Sequence, residues 1–159
     1  MKIGVLSDTH LTKVTEEFKE VLRGHLSEVD MIIHCGDITS LSVYEYLSNW
    51  DLRAVRGNMD DLDLKAILPE KRAEEIGGFR IGIVHGRGGP HGIERVVLGE
   101  FREEAPDVIV FGHSHVPLLT KIEGVTLFNP GAYRGSFVER GTIGLIEIKG
   151  GLSFRHIRL

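Results

Sequence analysis

The sequence predicts an α/β fold, and three observations support that class. Five short runs rich in Val, Ile and Leu, at 2–7, 31–35, 53–56, 81–84 and 108–111, are bounded by Gly and Asp, as buried strands are. Helical periodicity separates the first three runs, whereas beyond residue 71 turn signals often separate strands directly. The first part therefore predicts parallel strands joined by crossover helices, and the second part adds antiparallel strands.

The first third of the chain has the order βαβαβ. Its first helix is predicted by apolar residues at helical spacing: Val14, Phe18, Val21, Leu22 and Leu26. A weaker pattern of Leu41, Tyr44 and Leu47 predicts a second helix. Parallel strands with right-handed crossovers place Asp8, Asp37 and Asn58, which follow the three strands, at one edge of the sheet.

The remaining two thirds combine hairpins with one further helix. Turn residues at 77–78, 123–124 and 150–151 predict three hairpins. Ile93, Val96, Val97 and Phe101 predict an amphipathic helix between strands. The glycine-rich segment 86–92 follows a strand that ends on His85, so we expect it to form a rim of the site.

Composition excludes several classes of protein. The length of 159 residues suits one domain spanning 1–159. The net charge of -4 gives no broad basic surface for generic nucleic-acid binding. Cys35 is the only cysteine, which fits a reducing compartment, and no run has the length of a signal-peptide core or a membrane span. We therefore expect a cytoplasmic protein that does not bind membranes.

Each of the five apolar runs ends near side chains that bind metal ions. The candidate ligands are Asp8, His10, Asp37, Asn58, His85, His113 and His115. If these segments are extended, the D-x-H and H-x-H pairs each point two ligands the same way. The mixture of oxygen and nitrogen donors suits Mn²⁺, Fe or Zn²⁺ better than Ca²⁺, and seven donors are too many for one tetrahedral zinc. Two ions that share one carboxylate fit the count.

The order D-x-H, G-D, G-N, a lone His and G-H-x-H resembles the calcineurin-like metallophosphoesterase superfamily, in particular its small bacterial and archaeal phosphodiesterase branch. The likeness spans nearly the whole chain. It implies a four-layer α/β/β/α sandwich of mixed sheets flanked by helices, with two divalent ions. Mn²⁺ is the expected metal, and Ni²⁺, Fe²⁺ and Zn²⁺ are alternatives.

The resemblance also implies how the candidate ligands are divided between the two ions. One ion would be held by Asp8, His10, Asp37 and His115, and the other by Asp37, Asn58, His85 and His113. Asp37 would be the bridge. The implied activity is a metal-dependent phosphodiesterase, in which a hydroxide activated by the two ions attacks a small phosphodiester and Asn58 helps to stabilise the developing charge.

Two residues depart from the pattern of the superfamily. Met59 stands where larger members have a His that is thought to donate a proton to the leaving group. Its presence favours substrates with good leaving groups, or a water as the acid, and disfavours an efficient general phosphomonoesterase. Arg87 stands where members often have another His, and we expect its guanidinium to contact a phosphate.

Other functions and other roles for these residues stay open at this point. The chain could be a phosphomonoesterase or nucleotide phosphatase, or a non-catalytic scaffold like the retromer subunit that resembles this branch. Small members often self-associate, so a homo-oligomer is a further expectation. His34 is expected to be packed or to support a ligand. Asp60 and Asp61 are expected to cap the next segment, and Asp60 could instead orient a ligand. His91 and Arg134 are expected in solvent, with substrate contact as the second choice, and 129–131 is expected to form a turn.

Overall fold

The computed structural model describes residues 1–135 and 140–159. In chain order the elements are β1 (Lys2–Leu6), α1 (Glu16–His25), β2 (Met31–His34), α2 (Leu41–Leu47), β3 (Leu52–Ala54), α3 (Leu62–Ile67), β4 (Lys71–Ile76), β5 (Phe79–Val84), α4 (Ile93–Glu100), β6 (Val108–Phe111), β7 (Leu118–Ile122), β8 (Val125–Asn129), β9 (Thr142–Ile148) and β10 (Leu152–Arg158). The longest described helix has ten residues, so none of the described helices could span a bilayer.

The strands form two mixed sheets of five strands each. The first has the order β10-β9-β1-β2-β3, and the second has the order β4-β5-β6-β8-β7. Strands β1, β2 and β3 are parallel, as are β5, β6 and β8, and the outer partners are antiparallel. The prediction of mixed sheets flanked by helices is confirmed.

Successive side chains of each strand point to opposite faces of its sheet, and this alternation forms the layers of the fold. Ile3 and Val5 of β1 pack in a central cluster with Ile81, Val108 and other residues of the second sheet, so the two sheets lie face to face. The opposite face of the first sheet is covered by α1, α2 and α3, and that of the second sheet by α4. Each fully buried aliphatic or aromatic side chain of these clusters contributes about 1.5–3 kcal/mol of transfer free energy.

Most predicted elements are present, and their ends have local causes. Helix α1 begins at Glu16 because the Thr15 hydroxyl accepts a hydrogen bond from the Phe18 amide at 3.1 Å, which makes Thr15 the N-cap. The turn Gly77–Gly78 has positive φ at both residues, as a two-residue hairpin requires. Helix α3 was not predicted. Asp61 is its N-cap and accepts from the Leu64 amide at 2.8 Å.

The five predicted strands end at one region of the molecule. Backbone hydrogen bonds continue past the strand ends within each sheet, from the Asp8 amide to the Gly36 carbonyl and from the Gly112 amide to the His85 carbonyl. The loops that follow β1, β2, β3, β5 and β6 therefore lie side by side, and they carry the candidate ligands.

Candidate metal centre

The predicted ligand side chains meet, but the backbone that brings them together is not extended. Five of the seven residues have left-handed φ values: Asp8 (52°), His10 (47°), Asp37 (56°), His113 (65°) and His115 (60°). This region is sterically unfavourable for L-residues other than glycine, and such residues cluster at functional sites. The expectation that D-x-H and H-x-H point their side chains by strand alternation is therefore wrong. Sharp left-handed turns after the strands make the side chains converge instead.

Close approach of neighbouring loops requires the glycines that precede several of the candidate ligands. A Cβ on Gly57 would lie 2.1 Å from Asp37 Oδ1, and one on Gly36 would lie 2.9 Å from the Gly57 nitrogen. A Cβ on Gly112 would lie 1.8 Å from the Ser7 hydroxyl oxygen. The loops after β1, β2, β3 and β6 can pack this tightly only without side chains at these positions.

A first group of donors contains Asp8, His10 and His115. The Nε2 atom of His115 lies 3.2 Å from Asp8 Oδ1 and 3.4 Å from His10 Nε2, and His10 Nε2 is 3.8 Å from Asp8 Oδ1. The other carboxylate oxygen of Asp8 accepts from the Ser7 hydroxyl at 2.5 Å and from the His113 amide at 3.0 Å. Asp8 Oδ1 is buried and accepts no hydrogen bond from the described residues.

A second group of donors contains Asn58, His85 and His113. Asn58 Oδ1 lies 3.1 Å from His85 Nε2 and 3.1 Å from His113 Nδ1, and these two ring nitrogens are 3.2 Å apart. Asp37 lies between the two groups, because its Oδ2 is 3.5 Å from His85 Nε2 and 3.8 Å from His10 Nε2. Its Oδ1 accepts from the Met59 amide at 2.7 Å.

Backbone carbonyls fix the rings of two histidines. His85 Nδ1 donates to the Cys35 carbonyl at 2.7 Å, and His113 Nε2 donates to the Gly88 carbonyl at 2.9 Å. The proton of each neutral ring is thereby assigned to the outward nitrogen. The nitrogen that faces the site keeps its lone pair, which is the arrangement that metal-binding imidazoles need. The contact with Gly88 also places segment 86–92 at the rim, as predicted.

Contacts within the cluster favour the ionised forms of Asp8, Asp37 and His85. Burial opposes the charged form of Asp8, but the neighbouring His115, Ser7 and His85 outweigh it and lower the pKa of Asp8. Burial likewise opposes ionisation of Asp37, and His85 together with the Met59 amide lowers its pKa. The pKa of His85 is raised, because contact with Asp37 and the charge of Asp8 outweigh the effect of burial. Both carboxylates are therefore anionic at neutral pH.

Two buried residues around the candidate ligands hold the loops in place. His34 accepts from the Gly36 amide at 3.2 Å, its Nε2 is 3.1 Å from the Thr9 hydroxyl, and burial lowers its pKa to about 3. Asp60 accepts from the amides of Thr39 and Gly57, at 2.7 Å each, and so ties together the loops that carry Asp37 and Asn58. Both residues support the ligand loops through the backbone.

Asn129 has a role that the sequence did not reveal. It does form the expected turn, because its Oδ1 accepts from the Gly131 amide at 2.9 Å. Its Nδ2 also donates to the Gly112 carbonyl at 2.9 Å and to the Ser114 hydroxyl at 3.1 Å. Asn129 is fully buried and holds the loop that carries His113 and His115.

Arg87 and Met59 lie at the edge of the cluster. The Arg87 side chain is 79% exposed, with Nε 3.6 Å from a Glu100 carboxylate oxygen, and it lines a cleft together with Asn58 and His113. Met59 is 61% exposed, and its backbone amide donates to Asp37 Oδ1. The phosphate contact predicted for Arg87 stays a prediction.

The fold and this cluster together define the class of protein. Residues 1–151 match the calcineurin-like phosphoesterase superfamily domain, so the chain belongs to that superfamily. It is 38% identical over 138 residues to a probable metallophosphoesterase of Methanocaldococcus jannaschii, which covers 83% of this chain and 68% of the relative.

Further relatives align with most or all of the chain. A phosphodiesterase of Methanocaldococcus jannaschii is 28% identical over 165 residues, with 92% and 93% of the two chains covered. The solved structure of an archaeal phosphodiesterase superposes with a TM-score of 0.78 at 27% identity and covers 100% of both chains. The vacuolar protein sorting-associated protein 29 of Schizosaccharomyces pombe is 30% identical over 147 residues, which are 86% of this chain and 74% of the relative.

Proposed function

We propose that the chain is a metal-dependent phosphodiesterase that hydrolyses a small phosphodiester at the cluster around Asp37. The observation that carries this proposal is the buried Oδ1 of the ionised Asp8 carboxylate, which lies 3.2 Å from His115 Nε2 but accepts no hydrogen bond of good geometry from the described residues. A buried anionic oxygen without a donor is costly unless a cation compensates it. The imidazoles of His10 and His115 lie close to Asp8, and Asp37, His85 and His113 continue the same cluster.

The residues present fit two divalent ions. One ion would be held by Asp8, His10, Asp37 and His115, and the other by Asp37, Asn58, His85 and His113. Such oxygen and nitrogen donors suit Mn²⁺, with Ni²⁺, Fe²⁺ and Zn²⁺ as alternatives. When bound, a pair of such ions supplies Lewis-acid stabilisation of phosphoryl oxygens and lowers the pKa of a water molecule.

The chain itself would orient the substrate. Asn58 directs Oδ1 towards two imidazoles, and its Nδ2 donates to none of the described residues, so this amide can donate to a phosphoryl oxygen. Arg87 lines the same cleft, and its exposed guanidinium can fork onto a second oxygen. Met59 offers no proton to the leaving group, which favours esters of acidic alcohols.

Two clefts beside the cluster support a diester as the substrate. The His10 cleft, of about 560 Å³, is lined by His10 together with Lys13, Tyr133, Arg134 and Arg140. The His85 cleft, of about 290 Å³, is lined by His85, Asn58 and His113 together with Arg56, Glu70, Arg87 and Glu100. A phosphodiester has two substituents, one for each cleft, whereas a monoester has only one.

The direct test is hydrolysis of bis(4-nitrophenyl) phosphate with added Mn²⁺. We expect turnover by the wild type and a loss of about a hundredfold or more in Asp37→Asn, because a neutral amide replaces the anionic carboxylate that the two ions would share. Asp63→Asn is the matched control, since Asp63 is an exposed carboxylate in α3 and should leave the rate unchanged. Absence of hydrolysis by the wild type with Mn²⁺, Ni²⁺, Fe²⁺ and Zn²⁺ would contradict the proposal.

Two alternatives are separated by the same assay. A phosphomonoesterase would hydrolyse 4-nitrophenyl phosphate faster than the diester. A scaffold function is favoured by one observation, the exposure of Met59 (61%), Leu62 (83%) and Ile67 (55%) close to the cluster. Wild-type protein that binds metal but hydrolyses neither ester would support the scaffold instead.

A further inference from the structure

The His10 cleft carries positive charge that the metal cluster does not use. Lys13, Arg134 and Arg140 are exposed and line it, and Glu17 is the acidic side chain among its described lining residues. The chain as a whole has a net charge of -4. A local excess of cations in an acidic protein indicates a surface that attracts an anion.

The His85 cleft differs in its charge balance. Arg56 and Arg87 line it, but so do Glu70 and Glu100. Arg56 contacts Glu70, and Arg87 lies 3.6 Å from Glu100, so both cations already have carboxylate neighbours. The two clefts are therefore not equivalent for the two substituents of a diester.

The inner wall of the His10 cleft is suited to a ring. Tyr133 is buried, and its ring meets Phe18 edge to face with 5.0 Å between centroids, which fixes its orientation. Leu11 and Val21 add apolar surface beside it. An aromatic ring can pack against this wall while its charged group points to the arginines at the rim.

We propose that the His10 cleft is a specificity site for a phosphodiester substituent that carries an aromatic ring and an anionic group, a carboxylate or a second phosphate. The proposal rests on the phosphodiesterase function proposed above. It places the anionic substituent beside His10 and the uncharged one beside His85. Lys13, Arg134 and Arg140 bind the anion, and Tyr133 contacts the ring.

The kinetic test compares two diesters with the same leaving group, 4-nitrophenyl phenyl phosphate and 4-nitrophenyl 3-carboxyphenyl phosphate. We expect the wild type to have the lower KM for the carboxylate. The double variant Arg134→Gln/Arg140→Gln should raise that KM at least about tenfold and leave the kinetics of the phenyl ester unchanged. Equal KM values for the two esters in the wild type, or an equal effect of the variant on both, would overturn the proposal.

A binding test separates failure of this proposal from failure of the catalytic one. Isophthalate, an aromatic dianion, is titrated into chelator-treated protein, and amide shifts are followed by ¹H–¹⁵N NMR. Shifts at Lys13 and Gly141 that are lost in the double variant would support the site even if no ester is hydrolysed. The matched control Arg23→Gln/Arg102→Gln removes two exposed charges outside both clefts and should bind like the wild type. Absence of shifts in the wild type, or their persistence in the Arg134→Gln/Arg140→Gln protein, would contradict it.

Discussion

Substitution of Gly57 by alanine should damage the candidate metal centre without replacing any of its candidate ligands. The added Cβ would lie 2.1 Å from Asp37 Oδ1 and 2.4 Å from the Asp37 nitrogen, whereas ordinary contacts exceed 3.4 Å. Asp37 would have to move by more than an ångström, although its Oδ1 is also held by the Met59 amide. We expect a loss of metal affinity of about 10–100-fold, as for other changes that misplace ligands. Overpacking should also reduce the free energy of unfolding of the metal-free protein by about 1–3 kcal/mol.

The assay is calorimetric titration of Mn²⁺ into chelator-treated protein, together with urea denaturation of the metal-free form. Gly24→Ala is the matched control, because a Cβ at Gly24 in α1 meets nothing within 4 Å. That variant should bind metal like the wild type and gain about 0.5–1 kcal/mol of stability, since alanine is the better helix former. Wild-type metal affinity in Gly57→Ala would refute the view that Asp37 is held by the close approach of these two loops.

Three further outcomes are expected. Burial lowers the pKa of His34 to about 3, whereas this residue binds a proton near pH 6.5 in the unfolded chain. The free energy of unfolding should therefore decrease as the pH drops from 6.5 towards 3. Urea denaturation at several pH values should show a smaller decrease in His34→Gln. Asn129→Ala removes the buried hydrogen bonds of the Asn129 side chain to Gly112, Ser114 and Gly131, and should cost about 1–3 kcal/mol in urea denaturation. The exposed Asn49→Ala should cost less than about 0.5 kcal/mol. Contact with Asp8 raises the pKa of His115, so protons compete with the cation for this ring above pH 6.5. Affinity for Mn²⁺ should therefore rise with pH in that range, and calorimetry in two buffers should detect proton release on binding. Binding that does not depend on pH would contradict this expectation.

The identity of the clustered residues could be predicted from the sequence because parallel strands deliver their ends to one edge of a sheet. The backbone conformation that makes their side chains converge could not be predicted from the sequence. Asp8, His10 and Asp37 turn into the left-handed region, which Asp and His tolerate better than most residues but do not require. Only the packing of neighbouring loops decides that they adopt it.

Non-local contacts explain what the sequence did not reveal. Asn129 supports a loop that lies 15 to 17 residues away in the chain, at Gly112 and Ser114, so no local pattern marks that role. Helix α3 has six residues, of which Leu64 is buried while Leu62 is 83% exposed, so it lacks the apolar period that predicts a helix. The local signal that the sequence does carry for α3 is a capping residue, and Asp61 is its N-cap.

The proposed function requires that two cations share Asp37 between the two groups of donors. Anomalous diffraction from crystals grown with Mn²⁺ tests it most directly. We expect two peaks about 3.5–4 Å apart, one beside Asp8, His10 and His115 and the other beside Asn58, His85 and His113, with an Asp37 oxygen in contact with both. A single peak, or two peaks of which only one contacts Asp37, would contradict it.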